Sequence, residues 1–457
     1  MGDPSNDIAD ELDRILGGTV RDLRRLSGGA SRITSAFDLV ADDGSRRPLI
    51  LQQQRGDGIV PGSRLRTEAA LLASAQEAGV PVPQVVAAGE ADGLPPGWLI
   101  VERLEGETIP RKLLRDPEWA AARNVLTSQC GTALAAIHRI DPDGIVGLPK
   151  RDPLGDPLQF LDGLGEVRPA LEIGARWLEL NRTPSDHRVT VHGDFRMGNF
   201  LVGPDGLRAV LDWELAHAGD PAEDIGWLCA RSWRFGGASR VGGFGDLTDL
   251  LDSYAAAGGD DTIDSDRVRW WEVYAAVKWA VICALQAAAH LGGATRSVEL
   301  AAIGRRVCES EWDLLTLLDL TSDDMADRTF TSGSDAAFPT AVAPFGRPTS
   351  AELVQAVREH LESGPDRSGR DRTAFDDRVA RNVLLIVERE LQLGPAIARA
   401  HVDRLVELGF TGDTGLAQAI RSGAYDDDLS EVGRALAVSA RDQLLVANPS
   451  YLVAFGN

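Results

Sequence analysis

The sequence predicts an α+β protein with a small sheet-rich part near its N-terminus and a mainly helical remainder. Between residues 18 and 104, short β-branched or alternating segments bounded by turn residues surround a single helix-like stretch. From residue 106 onward, apolar residues recur at helical spacing, except at one strand pair near residue 200. Residues 321–347 are rich in Ser, Thr, Asp, Pro and Gly, which is typical of a linker before a further helical region.

Composition restricts the class of protein further. A chain of 457 residues, 44% apolar and 25% charged, is typical of a soluble globular protein with more than one domain. Its net charge of −22 argues against nucleic acid or an anionic membrane as a partner, because both attract basic surfaces. Four scattered cysteines, no basic-then-apolar leader, and a longest apolar run (279–285) too short to span a bilayer lead us to expect a cytoplasmic location.

Individual elements can be predicted in order along the chain. Residues 7–17 form an amphipathic helix with Ile8, Leu12 and Ile15 on one side. Strands are expected within 26–40, 48–54, 80–90 and 97–106, with a helix over 61–79 between the second and third. These elements and the later helices divide the chain into an N-lobe (1–104), a C-lobe (105–320), a linker (321–347) and a helical accessory domain (348–457).

The C-terminal region begins with a helix signal. Thr349 or Ser350 is a candidate cap, and Glu352 stands where it can support the first turn. The helical spacing predicts buried faces that contain Leu353, Val357 and Leu361, and then Leu384, Val387 and Leu391.

The stretch HGDFRMGN (192–199) carries the chemistry. It follows a short strand, and the turn GPDG (203–206) returns the chain to LRAVLDW (207–213). A hairpin turning at residues 204–205 brings Asp212 close to Asn199 and Asp194. Two carboxylates and an amide oxygen that lie together suit Mg²⁺, and the acid that the metal does not need, Asp194, can accept a hydroxyl proton. Phosphoryl transfer from ATP needs these parts, and His192, Asp194 and Asn199 match the kinase catalytic loop H-x-D-x-x-x-x-N.

Together with AVLDWELAHAGDPAEDIGWL (209–228), this motif resembles the signature of the aminoglycoside phosphotransferase and choline kinase-like family, over about residues 20–320. The resemblance implies a two-lobed protein-kinase-like fold, with a small β-rich N-lobe and a mainly helical C-lobe, followed here by an all-α C-terminal domain. It implies that ATP and Mg²⁺ are used, that Asp194 is the catalytic base, and that Asn199 and Asp212 hold the metal. His192 would support the loop, and Asp220 and Asp224 would brace it.

The N-lobe departs from the family pattern at one position. In this family the lysine of the third strand pairs with a helix glutamate, here Glu68, but its position holds Gln52, and no lysine precedes Lys112. The candidates for the missing positive charge are Arg32, Arg55 and Arg64. The segment SGGAS, with Gly28, Gly29 and Ser31, is either a phosphate-covering loop or a plain turn, and the backbone around Glu102–Leu104 resembles the adenine-binding hinge.

The acceptor is the least determined part. In the helix over 270–293, Lys278, Gln286 and His290 share one stripe, which is either a solvated surface or a pocket wall. Arg231 and Arg234 are equally ambiguous. The kinase region most resembles the domains associated with acyl-CoA dehydrogenases, which implies phosphorylation of a 4-hydroxyacyl-CoA or related hydroxy acid. The tail resembles a small helical protein that accompanies such kinases, and we expect it to contact the kinase part within the chain.

Two other functions fit the sequence. The first is an antibiotic kinase that acts on an aminoglycoside or a macrolide. The second is a nucleotide-binding pseudokinase that serves as an interaction module, which Gln52 favours and the intact Asp194, Asn199 and Asp212 disfavour.

Overall fold

The structure is a computed structural model, and it forms two compact units. It describes residues 4–26, 32–54, 65–89, 97–150, 155–182, 188–322, 325, 344–363 and 370–453. Unit 1 contains Met1–Arg151 and Ser185–Val268, and unit 2 contains Asp152–Pro184 and Arg269–Asn457. Most of the predicted linker lies outside the described residues.

Unit 1 begins with a helix and a five-stranded antiparallel sheet whose strand order is β1-β2-β3-β5-β4. The elements of this part are α1 (Pro4–Leu16), β1 (Thr19–Arg25), β2 (Arg32–Val40), β3 (Arg46–Gln54), α2 (Leu65–Glu77), β4 (Val85–Gly89) and β5 (Trp98–Glu102). Leu12 of α1 packs with Phe37, Leu49 and Ile100 in one apolar cluster, so the predicted amphipathic helix covers one face of the sheet.

Strand β1 was not predicted from the sequence. It is an edge strand on which only Val20 is buried, and its pairing with β2 is irregular between Arg21 and Arg24, where Asp22 has a φ of 56°. A mostly polar strand with a bulge shows no alternation of apolar and polar residues, which explains why its sequence does not reveal it.

The rest of unit 1 supports two small strand pairs, β6 with β9 and β7 with β8. Its elements are α3 (Pro110–Arg115), α4 (Ala120–His138), β6 (Val189–Val191), β7 (Phe200–Gly203), β8 (Gly206–Val210), β9 (His217–Gly219), α7 (Ala222–Cys229) and α8 (Leu247–Ala256). Gly203 pairs with Gly206, so the predicted hairpin with its turn at residues 204–205 is confirmed.

Unit 2 is helical. It contains α5 (Gly155–Leu164), α6 (Pro169–Leu180), most of α9 (Ser265–Leu291), α10 (Val298–Gly304), α11 (Val307–Leu317), α12 (Ser350–Ser363), α13 (Arg370–Glu407), α14 (Asp413–Arg421), α15 (Ser430–Ala447) and α16 (Ser450–Val453). By length and composition α9 could cross a membrane, but 72% of its apolar window is buried inside the protein, as in a core helix.

The helices of unit 2 share cores across the predicted domain boundary. Ile173 of α6 and Trp312 of α11 belong to the same apolar cluster as Leu416 of α14 and Leu436 of α15. Arg421 of α14 also forms ion pairs with Glu172 of α6 and, at 2.9 Å, with Asp162 of α5. The compact units therefore do not follow the predicted boundary between 105–320 and 348–457, because apolar side chains of α6 and α11 are buried against the C-terminal helices.

The sequence predicts the start of α12 correctly but assigns part of the next helix to the wrong side. Thr349 Oγ1 accepts a hydrogen bond from Glu352 N (3.3 Å), and Glu352 Oε2 accepts one from Thr349 N (2.7 Å), which makes a capping box. The predicted buried residues Leu361, Leu384 and Leu391 are 69%, 47% and 62% exposed. The predicted residues Leu353, Val357 and Val387 are buried, and the packed face of α13 adds Val383, Ile386 and Ile397 to Val387. The spacing of apolar residues cannot show which of two apolar stripes on one helix is buried.

Candidate active site

Asp224, the third residue of α7, holds the loop His192–Asn199 in place through the loop backbone. The Asp224 carboxylate accepts hydrogen bonds from the backbone N–H groups of His192 and Gly193, both at 2.8 Å, and lies 3.3 Å from His138 Nε2. Burial alone would raise the pKa of Asp224, but the His138 hydrogen bond and the loop N–H groups lower it overall. Asp224 is therefore an ionised, buried brace for the loop.

Two glycines let the loop adopt its shape. Gly193 has a φ of +77°, and a Cβ there would lie 2.5 Å from Leu215 O. Gly198 has a φ of +105°, and a Cβ would lie 2.8 Å from Arg196 Nη1. Both positions need the left-handed region and open space, which only glycine provides without strain.

His192 links the loop to the segment that carries Asp212. Its Nδ1 accepts a hydrogen bond from Asp194 N (3.2 Å), and its Nε2 donates to Leu211 O (3.1 Å). Burial lowers the pKa of His192, so the ring is neutral and keeps one donor and one acceptor nitrogen. The geometry agrees with a supporting role for His192.

Asp194 is buried with its carboxylate held from both sides. Trp227 Nε1 donates to Asp194 Oδ1 (2.7 Å), and Arg196 Nε donates to the same oxygen (2.8 Å). Asn199 Nδ2 donates to Oδ2 (2.6 Å). These three donors stabilise the carboxylate and fix its direction, as positioning a base beside a nucleophile requires.

Asn199 and Asp212 are brought close by the hairpin. Leu211 N donates to Asn199 O (2.8 Å), so the residue before Asp212 is bonded directly to the end of the loop His192–Asn199. Asp212 has a φ of 64°, and the 3-10 turn Trp213–Leu215 follows it. A non-glycine residue in the left-handed region is strained, and such residues cluster at functional sites.

The environment of Asp212 fits a divalent cation. Burial, with the charge of Glu214, raises the pKa of this carboxyl to about 7 in the protein alone, although Arg32 acts in the opposite direction. The donor set of a carboxylate and an amide oxygen is hard, and Mg²⁺ is commonly held by one or two such groups plus phosphate oxygens.

Asp220 has a different role from Asp224. Its Oδ1 accepts a hydrogen bond from Ala222 N (2.8 Å), and both oxygens lie 2.9 Å from Arg267 Nη2. Asp220 therefore fixes the start of α7, and through α7 the position of Asp224.

On the N-lobe side, Glu68 of α2 is buried and its cationic partner is Arg32. Arg32 Nη2 lies 2.6 Å from Glu68 Oε2, and Arg32 Nη1 donates to Gln52 Oε1 (3.2 Å). Gln52 lies on β3, so the lysine position is beside the pair but neutral. Gly28, Gly29, Ser31, Arg55 and Arg64, the other predicted residues of this region, lie outside the described residues.

The predicted hinge lies at the end of β5. Glu102 ends the strand, and its backbone N–H donates to Gln84 O (2.9 Å). Leu104 follows in the connection to α3 and is half-buried. Adenine binding by this segment stays a prediction.

The predicted acceptor residues fall into both units. In unit 1, Arg231 begins the turn Arg231–Trp233, and Arg234 Nε donates to Cys229 O (3.0 Å), so Arg234 supports the end of α7. In unit 2, Lys278 is buried near the Tyr274 ring, Gln286 is half-buried, and His290 Nδ1 accepts from Ser297 N (3.0 Å). Lys278 and His290 are therefore not part of a solvated stripe, and contact with the acceptor stays a prediction.

Three side chains near Asp194, the predicted base, were not predicted from the sequence. Arg196 and Trp227 contact Asp194 directly, and the Arg196 guanidinium lies 4.2 Å from the centroid of the Trp233 ring. Arg196 could have been found because it stands two residues after Asp194 within the motif. The two tryptophans had no local signal, since both lie more than 30 residues from Asp194 in the chain: Trp227 reaches Asp194 only through the fold, and Trp233 lies against Arg196 and Trp227.

This fold and this site define a small-molecule phosphotransferase of the protein-kinase-like class. The profile of the phosphotransferase enzyme family matches residues 22–271, more than half of the chain, and the protein belongs to that family. A second profile, a domain of unknown function (DUF6285), matches residues 367–451.

Individual relatives agree with the predicted resemblance. Acyl-CoA dehydrogenase family member 10 of Mus musculus is 28% identical over 201 residues, which are 40% of this chain and 18% of the mouse protein. Viomycin phosphotransferase of Streptomyces vinaceus is 29% identical over 161 residues, 32% of this chain and 55% of that enzyme. The matches thus span about a fifth and about half of these relatives' own lengths.

The fold also has a counterpart among solved structures. A protein from Ralstonia eutropha, provisionally assigned as an aminoglycoside phosphotransferase, superposes with a TM-score of 0.55 at 20% identity, covering 69% of this chain and 98% of that one. The predicted kinase-like α+β fold is confirmed.

Proposed function

We propose that this protein transfers the terminal phosphoryl group of ATP, in the presence of Mg²⁺, to a hydroxyl group of a hydroxyacyl-CoA thioester or a related hydroxy acid. The observation that carries the proposal is the buried Asp194 carboxylate, which Trp227, Arg196 and Asn199 hold in one orientation. This arrangement suits a general base, because the carboxylate is held in one orientation next to Asn199, a predicted ligand of Mg²⁺.

The residues divide the reaction between them. Asp194 accepts the proton of the acceptor hydroxyl as its oxygen bonds to the phosphorus, and the bond from phosphorus to the bridging oxygen of ADP breaks. Asn199 and Asp212 are the residues that would hold Mg²⁺, which when bound neutralises charge on the phosphates. Asp224 and His192 keep the loop and the hairpin in register.

The proposed acceptor, a hydroxyacyl thioester or a hydroxy acid, is supported by a relative rather than by the side chains beside Asp194. Arg196 bonds to Asp194 and stacks on Trp233, which in turn lies 5.3 Å from Trp227, centroid to centroid. Because Arg196 is ion-paired with Asp194 and both rings are buried, these side chains hold Asp194 in place and do not by themselves select the acceptor. The match to an acyl-CoA dehydrogenase family member supports the proposed class of acceptor.

An antibiotic acceptor is the second candidate, because viomycin phosphotransferase matches over 161 residues of this chain. For the C-terminal helices we propose an accessory role, in which they stabilise the helices of the kinase part. The shared apolar cluster of α6, α11, α14 and α15 supports that role.

The test is ADP release by the full chain with ATP and Mg²⁺ against matched acceptors. A 4-hydroxyacyl-CoA is compared with the acyl-CoA of equal length that lacks the hydroxyl, with the free hydroxy acid, with viomycin, and with an aminoglycoside. We expect turnover and a phosphorylated product only with the hydroxylated thioester or acid. Turnover confined to an antibiotic would refute the acceptor class, and ADP release unchanged by every acceptor would refute phosphoryl transfer to a small molecule.

A further inference from the structure

Arg32 lies on the second strand of the sheet, whereas the cation that pairs with the helix glutamate in kinase-like folds is a lysine of the third strand. Arg32 is the first residue of β2, and the residue paired with it across the strands is Gln54 of β3. Thr34, two residues on, pairs with Gln52, so Arg32 and Gln52 are diagonal neighbours on the same face of the sheet. The long side chain of Arg32 therefore reaches the third-strand position from the strand beside it.

Arg32 connects three segments through its guanidinium. Nη1 donates to Gln52 Oε1 (3.2 Å), while Nη2 lies 2.6 Å from Glu68 Oε2 and 3.3 Å from Glu214 Oε2. Glu68 belongs to α2, and Glu214 lies two residues after Asp212. A lysine ammonium is a single point charge, whereas the planar fork of an arginine can serve several partners at once.

The charge on Arg32 is secure despite its burial. The side chain is 6% exposed, and the Glu68 side chain is also 6% exposed. Burial alone would lower the pKa of Arg32, but Glu68 and Glu214 raise it above the usual value. A buried and permanently charged cation beside the segment that contains Asp212, a predicted Mg²⁺ ligand, is suited to contact the phosphates of a nucleotide.

We propose that Arg32 of β2 replaces the absent third-strand lysine, binding the nucleotide phosphates while holding α2 and the Asp212 segment in position, with Gln52 orienting its guanidinium. This inference rests on the proposed use of ATP. It also explains why a neutral residue at position 52 is compatible with an intact base and metal segment.

The experiment relocates the positive charge. The full-length chain is compared with Arg32→Gln, Gln52→Lys and the double variant Arg32→Gln/Gln52→Lys, and Arg25→Gln, an exposed arginine of β1, is the matched control. Dissociation constants for a non-hydrolysable ATP analogue with Mg²⁺ are measured by calorimetry, and melting temperatures are measured alongside. We expect Arg32→Gln to weaken binding about 10- to 100-fold, from the loss of a charge-assisted contact. The double variant should recover most of that loss, and Arg25→Gln should change nothing.

A second variant separates phosphate binding from folding. Arg32→Gln leaves Glu68 buried without its cation and can lower stability, whereas Arg32→Gln/Glu68→Gln removes both charges. If Arg32 binds phosphate, the variant Arg32→Gln/Glu68→Gln binds the analogue more weakly than the wild-type chain does. Wild-type affinity in that variant, or in a folded Arg32→Gln chain, would overturn the inference. A wild-type chain that binds no nucleotide would instead overturn the proposed function.

Discussion

Two histidine–aspartate clusters in this protein, one fully buried and one partly buried, use the same residue types for different roles. In unit 1, Asp224 binds His138 and the backbone N–H groups of His192 and Gly193. In unit 2, His401 of α13 lies 3.1 Å from both carboxylate oxygens of Asp413 and, through its other nitrogen, 3.1 Å from Ser439 Oγ.

The difference lies in what the aspartate holds. Asp224 accepts hydrogen bonds from backbone N–H groups of a loop, and so leaves the side chains of that loop to other partners. Asp413 and His401 bind side chains on helices, and Ser439 Oγ also accepts from Arg404 Nε (3.0 Å), a cation of α13. A Ser–His–Asp constellation within packed helices ties those helices together. The comparison teaches that residue types alone do not define a catalytic site, because the backbone element that carries them decides their role.

The largest effect should come from the base itself. We expect Asp194→Asn to lower kcat by about 10²- to 10⁴-fold, because the amide cannot accept the hydroxyl proton. ATP-analogue affinity should change little, and the melting temperature shows whether the loop is intact. Turnover that stays within threefold of wild type would remove Asp194 from the role of base.

Loss of the brace should affect stability and activity together. Asp224→Asn removes the charge that the loop N–H groups contact, at a cost of roughly 1.5–3 kcal/mol in the free energy of unfolding. Because the folded pKa of Asp224 is lowered, its contribution is complete above the unfolded pKa of about 4 and is lost as pH falls through the folded pKa. Denaturant unfolding at pH 7 and pH 3.5 tests this.

The gap between wild type and Asp224→Asn should be wide at pH 7 and narrower at pH 3.5. A gap of equal size at both values would show that the ionisation of Asp224 does not contribute to stability.

The smallest effect should come from the second cluster. Ser439→Ala removes a hydroxyl bound by His401 and Arg404, and we expect it to cost about 1–3 kcal/mol of unfolding free energy with kcat unchanged. Ser422→Ala, at the exposed end of α14, is the control. A large fall in kcat for a stable Ser439→Ala chain would mean that this cluster takes part in the reaction.

Local sequence was enough for the catalytic segment. The motif spacing and the GPDG turn led to the β7–β8 hairpin and to the approach of Asn199 to the Asp212 segment, because these contacts lie within 20 residues and follow strand register. The helix start at Thr349 was equally local, since a capping box involves residues three apart.

Contacts over long distances escaped prediction or, as with Arg32, were left open among several candidates, for a common reason. Trp227 and Arg32 act through side chains that meet Asp194 and Glu68 only after distant segments pack, and the edge strand β1 and the buried stripe of α13 depend on what lies against them. Propensity and periodicity describe each segment alone, so they cannot rank partners from elsewhere.

The sequence by itself predicted the kind of chemistry: a candidate base, two candidate hard ligands and a turn that unites them, all within residues 192–212. Only the tertiary structure showed that Arg32, one of three candidate arginines in the sequence, pairs with Glu68 of α2 and also lies beside Glu214 in the segment after Asp212; Arg55 and Arg64 lie outside the described residues. Chemical identity is a property of single residues and their spacing, whereas the choice among equivalent charges depends on distance and burial, which exist only in the folded chain.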